Sequence, residues 1–199
     1  MAEDAKFRDL YYAGLLEDAA RALKGRGWDA RVFSEPDALR KFVVDELRGR
    51  RVGIPGSTTV RELGLVEAIG EVAEVVQHWG RSGEDARRAM AEEPRCEVFL
   101  HSANAVSIAG EIVLVDFYGN RVVGSTMGPD TLIFVVGRNK ITPTLDDAVK
   151  RAREVAARIN ALRLSTSPEK ITAFTLILHR KPPLIRRGVV LLINSELGY

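Results

Sequence analysis

The residues best placed to do chemistry begin with Gly53 and Gly56 and the three consecutive hydroxyls Ser57, Thr58 and Thr59, within Val52-Gly53-Ile54-Pro55-Gly56-Ser57-Thr58-Thr59-Val60. An apolar strand, a glycine turn and a helix start in that order direct unpaired backbone N–H groups to one spot. The helix dipole behind them favours a carboxylate or phosphate there. Gly56 would let the backbone approach such a ligand, and the hydroxyls would add donors. No Lys follows the second glycine, so this is not a Walker loop, and the three-glycine dinucleotide fingerprint is absent. The competing reading is that Ser57 or Thr58 simply caps the helix.

Three further stretches join this one. His101-Ser102-Ala103-Asn104 follows an apolar strand ending at Leu100, and small neighbours would let the Asn104 amide and the Ser102 hydroxyl enter a crevice; a structural Asn turn is the alternative. His101, with no second histidine nearby in sequence, reads as a hydrogen-bonded strand-end residue. Asp116 to Arg121 reads as a hairpin tip that offers Asp116, Asn120 and Arg121. Gly137-Arg138-Asn139-Lys140 follows a second apolar strand, and from there Lys140 could neutralise an anion held at Gly56 to Thr59. Asp116, Glu62 and Lys140 are the candidate acid–base groups, although none stands in a telling local pair.

The elements that must position these residues alternate at first. The spacing predicts a helix over 6–24, with Phe7, Leu10, Tyr11, Leu15, Leu16, Ala19 and Leu23 along it. A strand follows over 30–33, then a helix capped by Ser34, a strand over 51–54, a helix over 58–69, a strand over 72–76, and a helix from Ser82 towards Met90. A strand over 97–100 follows, and strands over 105–108, 111–117 and 121–125 then crowd together as an antiparallel meander. A buried strand over 131–136 and a long helix over 145–162 come next, the latter with Thr142-Pro143-Thr144 at its start. Apolar runs over 171–179 and 188–194 complete the pattern. The expected class is a three-layer α/β/α fold with a mixed sheet, mainly parallel but including the meander. One domain is expected over 1–199, with 1–50 as a lead-in and 51–199 carrying the motifs.

Composition narrows the function classes. Lys and Arg total 29 against 27 Asp and Glu, and they are dispersed, which speaks against a nucleic-acid surface. The single cysteine, Cys96, rules out an internal disulfide and a cysteine-only metal cage. With three scattered histidines, no metal and no cofactor are expected. No apolar run approaches the roughly 20 residues of a membrane span, and a cytoplasmic protein is the expectation. Arg outnumbers Lys, and one Gln and five Asn are all the amides present, a bias found in heat-adapted proteins.

Taken in order, "VGIPGSTTVRELG", "HSANAVSIAGEIVLVDFYGNRV", Gly128-Pro129, "VVGRNKI", "NALRL" from Asn160 and the closing "LGY" resemble the successive motifs of the LUD-domain family of lactate-utilisation proteins. The resemblance runs from about residue 51 to the C-terminus. It implies a fold similar to ribose-5-phosphate isomerases and CoA transferases, whose first glycine-rich turn handles an anion. It also implies a link to an iron–sulfur lactate-oxidising system, whose other subunits would be partners. Many members carry a cysteine cluster after the "NALRL" helix; here Ser165 to Pro183 contains none, so iron–sulfur ligation is not expected. The resulting expectation is a non-redox component of hydroxy-acid metabolism that binds a small anionic metabolite. The alternatives are an isomerase- or transferase-like enzyme acting on a sugar phosphate or CoA thioester, and a scaffold.

Overall fold

Apolar periodicity and turn chemistry set the first half of the chain. The structure, a computed structural model, describes residues 2–199. Helix α1 (Ala2–Gly25) buries Leu16, Ala19, Ala20 and Leu23, whereas Phe7, Leu10 and Tyr11, on the same expected stripe, are exposed. Strand β1 (Asp29–Phe33) leads to α2 (Pro36–Leu47). Glu35, not Ser34, occupies its N-cap, and Pro36 supplies the first turn. After β2 (Arg51–Gly53), the helix expected over 58–69 is broken into α3 (Thr58–Glu62) and α4 (Leu65–Gly70). The cause is Gly64, which adopts φ 61° at the junction. Strand β3 (Glu74–Val76), helix α5 (Gly83–Glu92), a short 3₁₀ turn at Glu93–Arg95 and β4 (Val98–His101) complete the alternating part.

These strands form a six-stranded sheet in the order β1-β10-β7-β4-β2-β3, where β7 is Thr131–Gly137 and β10 is Arg187–Ile193. Every pairing in it is parallel. Its central strands β4, β7 and β10 are rich in Val, Ile and Leu and almost wholly buried, as expected for a sheet covered on both faces, while the edge strands β1 and β3 are partly exposed. One face packs on α2, α3 and α4 through Leu39, Val43, Leu47, Val60, Leu65 and Ile69.

The antiparallel pairing expected of the meander falls in a second sheet, ordered β8-β5-β6-β9, with β5 Ala105–Ser107, β6 Ile112–Asp116, β8 Ile141–Thr142 and β9 Phe174–Leu178. β6 pairs antiparallel with β5 and β9, and β5 pairs parallel with β8. The expected strand over 121–125 is instead part of α6 (Asn120–Thr126). The reason is local: both Asp116 oxygens are turned to this segment, and Oδ2 accepts from the backbone N–H of Arg121 (2.9 Å) and Val122 (3.2 Å), which starts a helix. Val106, Ile112 and Leu114 share one core cluster with α1 and the large sheet.

The outer face of the small sheet carries the long helix. It begins as α7 (Leu145–Lys150), with the Thr144 hydroxyl accepting from the Asp147 N–H at 3.1 Å. It widens to a π-helical stretch over Arg151–Ala156 and ends as α8 (Ala157–Arg163). Ala148, Ala152, Ala157 and Ala161 let this helix lie close to Val113 and Val115. Helix α9 (Pro168–Ile171) precedes β9. None of the helices is long and apolar enough to cross a membrane, among the described residues.

Candidate functional site

The neighbouring strands β3, β2, β4 and β7 all point the same way, so the loops at their carboxyl ends emerge side by side. That is where ligands bind in open parallel sheets. After β3 come His78 and Trp79, after β2 Gly56 to Thr59, after β4 Ser102 to Asn104, and after β7 Lys140. Together with Asp116, Asn120 and Arg121 from the small-sheet side, they line a cleft of about 1390 Å³. Of the ligand-binding candidates from sequence, all but Gly53 and Asn139 line it, whereas Glu62, the further acid–base candidate, does not.

Lys140 is the centre of one end. Its Nζ donates to Thr59 Oγ1 at 2.8 Å and to Ser102 Oγ at 3.0 Å, and the side chain is only 3% exposed. An ammonium has three N–H bonds, so one is left after these two. Burial, then the positive fields of Arg151 and Arg121, pull its pKa down to about 7; Glu62 opposes them weakly. Residues Leu197 to Tyr199 lie over this end. The Asn139 side chain accepts from Leu197 N–H at 3.1 Å and donates to the Gly198 carbonyl at 3.1 Å. The Gly198 N–H donates to Glu62 at 2.6 Å. Gly198 has φ 58°, and a Cβ there would stand 2.6 Å from Thr59 Oγ1 and 3.2 Å from Lys140 Nζ. Asn139 thus ties down the chain's last residues and does not face the cleft.

The other candidates serve the frame of the cleft as well. The Ser57 hydroxyl caps α3 by accepting from Val60 N–H at 3.4 Å. Asn104 Oδ1 accepts from the Val115 N–H at 2.9 Å, fixing β6 beside the β4 loop. Arg121 donates to the Val115 carbonyl, and Arg151, drawn in by the π-helical stretch, donates to the carbonyls of Asn139 (2.8 Å) and Asn104 (2.5 Å). Gly56 does not leave open space for a ligand: a Cβ on it would overlap the Trp79 indole. Trp79 itself is held between guanidinium groups, Arg61 at 3.8 Å and Arg163 at 4.9 Å from the ring centre. Gly53 fills a packing role, because a Cβ would overlap the backbone carbonyl of Glu93.

His101 is buried between Phe99 and Phe134, with Nε2 2.9 Å from Ser125 Oγ. Burial and the nearby Arg121 hold its pKa well below the ordinary histidine value, so it is a neutral strand-end residue. The residues that sequence reasoning passed over are His78, Trp79 and Glu93, while Asn160, Arg163 and Tyr199 stood in quoted motifs without a site role. Asn160 Oδ1 accepts from Tyr199 OH at 2.9 Å and from Arg163 at 2.8 Å, which joins the "NALRL" and "LGY" stretches. His78 and Trp79 could have been found by the same strand-end rule that selected Ser102. Glu93, by contrast, is visible only in three dimensions. Among the described residues, no three His, Cys, Asp or Glu side chains gather as a metal would require. Cys96 is buried, and burial pushes its thiol up to about 11.

The fold and cleft define an α/β protein with a pocket of mixed polar and apolar lining along the carboxyl ends of a parallel sheet. The family model of the LUD domain matches residues 16–193, and the chain belongs to the LUD-domain family. Membership relates it to lactate utilisation. The match reaches back to residue 16, so the second part of α1, with β1 and α2, falls within it. Among solved structures, a DUF162 family protein from Deinococcus radiodurans is similar at TM-score 0.53 and 18% identity, over 92% of this chain and 98% of that one. That likeness concerns the fold. No curated protein matches the sequence.

Proposed function

We propose that the cleft binds a small anionic metabolite, a carboxylate or phosphate, whose charge is met by Lys140 together with Thr59 and Ser102. The protein would act as a non-redox component of L-lactate or related hydroxy-acid metabolism. It would work in the cytoplasm as a single domain, beside other subunits of a lactate-oxidising system. The observation that carries the reading is the Lys140 ammonium. It is buried, held by two hydroxyls and under the positive fields of Arg151 and Arg121, and no carboxylate among the described residues is bonded to it. An arriving anion would accept its third N–H and offset its unfavourable field. Expected from sequence as the main anion holder, the helix start at Thr58 contributes less, because α3 has only five residues and its dipole is small.

Titration calorimetry with lactate, pyruvate and inorganic phosphate tests the proposal. A charge-assisted hydrogen bond contributes about 1.5–3 kcal/mol, so Lys140→Met is expected to weaken the bound anion by roughly tenfold or more. Unchanged affinity in that variant, or no binding of any of the three by the wild type, refutes it.

A further inference from the structure

The second end of the cleft holds a different constellation. Glu93 is fully buried in the 3₁₀ turn after α5, a position open to it because Gly53 on β2 lacks a side chain. One of its oxygens accepts from the His78 backbone N–H at 2.8 Å and lies 2.7 Å from His78 Nδ1. The other accepts from Asn120 Nδ2 at 2.9 Å. A carboxylate only accepts, so Nδ1 carries the hydrogen, and the lone pair of a neutral ring resides on Nε2. The ring lines the cleft, its side chain is 16% exposed, and Nε2 is its one nitrogen not committed to Glu93. Asn120 and the backbone bond fix the carboxylate in turn, so ring and acid are held as a unit. The other two histidines differ: His101 is sealed in the core, and His179 is exposed at the end of β9.

We propose that His78 is the proton-transfer residue of this cleft, acting on an ester- or thioester-type acyl compound, with Glu93 and Asn120 as positioning residues. Nε2 takes a proton from water as the water oxygen bonds to the acyl carbon and the carbonyl electron pair moves onto oxygen. That negative charge develops in a cleft also lined by Arg121, next in sequence to Asn120. Collapse of the adduct breaks the bond to the leaving alkoxide or thiolate, which receives the proton back from Nε2. No oxidant or metal enters the balance. The inference does not rest on an anion being bound at Lys140.

The test uses p-nitrophenyl acetate as an acyl probe, following release of p-nitrophenolate. The wild type is expected to exceed an equal concentration of free imidazole. General-base contributions are about 10²–10⁴-fold, so His78→Gln should lose roughly a hundredfold, whereas His179→Gln should leave the rate unchanged. Glu93→Gln should lower kcat and displace the pH profile, which a purely structural role would not do. On the unaltered protein, long-range ¹H–¹⁵N correlation should show His78 as the Nδ1–H tautomer. A wild-type rate no greater than that of imidazole, retention of the rate in His78→Gln, or an Nε2–H tautomer overturns the proposal.

Discussion

Lys140 and Glu93 are both deeply buried charged side chains of the cleft region, at 3% and 0% exposure, yet their surroundings differ in kind. Glu93 is saturated by three donors, His78 N–H, His78 Nδ1–H and Asn120 Nδ2. Lys140 has two hydroxyls and a field of like charge from Arg151 and Arg121. A buried charge is tolerated when its hydrogen bonds are complete and is costly when they are not. The first arrangement is a finished structural unit that orients a neighbour. The second is unfinished in the isolated protein, and a ligand could complete it.

The harshest way to break the comparison is Gly53→Val, which drives a side chain into the Glu93 carbonyl and dislodges the saturated charge. Overpacking of this kind costs about 1–3 kcal/mol or more. Urea unfolding is expected to show a loss in that range, together with loss of the His78–Glu93 pairing. A milder probe is pH. Lys140 has its pKa lowered from 10.5 to about 7 in the folded chain. Between those values the unfolded chain holds a proton that the folded chain has released, so this residue makes stability rise with pH from 7 to 10.5. Anion binding needs the ammonium and therefore weakens as pH climbs above 7. Denaturant titrations and calorimetry across that window should show both slopes, and Lys140→Met should abolish both. The smallest effect is expected from Asn139→Ala, which removes two hydrogen bonds to Leu197 and Gly198. These bonds hold only the outermost segment, so their loss should speed amide exchange at Leu197 and Gly198 through local opening while barely moving the thermal midpoint.

The parallel sheet and its helices were legible in the sequence because continuous Val, Ile and Leu runs separated by glycine turns admit few other solutions. Thr59, Ser102 and Lys140 were legible for the same reason, since each follows a strand that ends on the cleft side. The helix over 120–126 was not. Val122-Val123 looks strand-like, and only Asp116, four positions before its first residue, turns the segment helical. The amides of Asn104, Asn120 and Asn139 bond to Val115, Glu93 and Leu197–Gly198, partners 11, 27 and 58–59 positions away. Gly53 and Gly56 were assigned to a ligand when the nearby space belongs to Glu93 and Trp79, contacts that no local pattern encodes.

The placement of β10 also governs how the chain reaches this state. It lies between β1 and β7, pairing Val189 with Asp29 on one side and with Ile133 on the other. Until residues 187–193 arrive, β1 has no neighbour in the sheet and the edge of β7 stands open. Closing a contact across so much sequence is slow, and an unpaired apolar strand edge invites other chains meanwhile. The same strand that seals the sheet is thus the step at which synthesis, refolding yield and aggregation are decided.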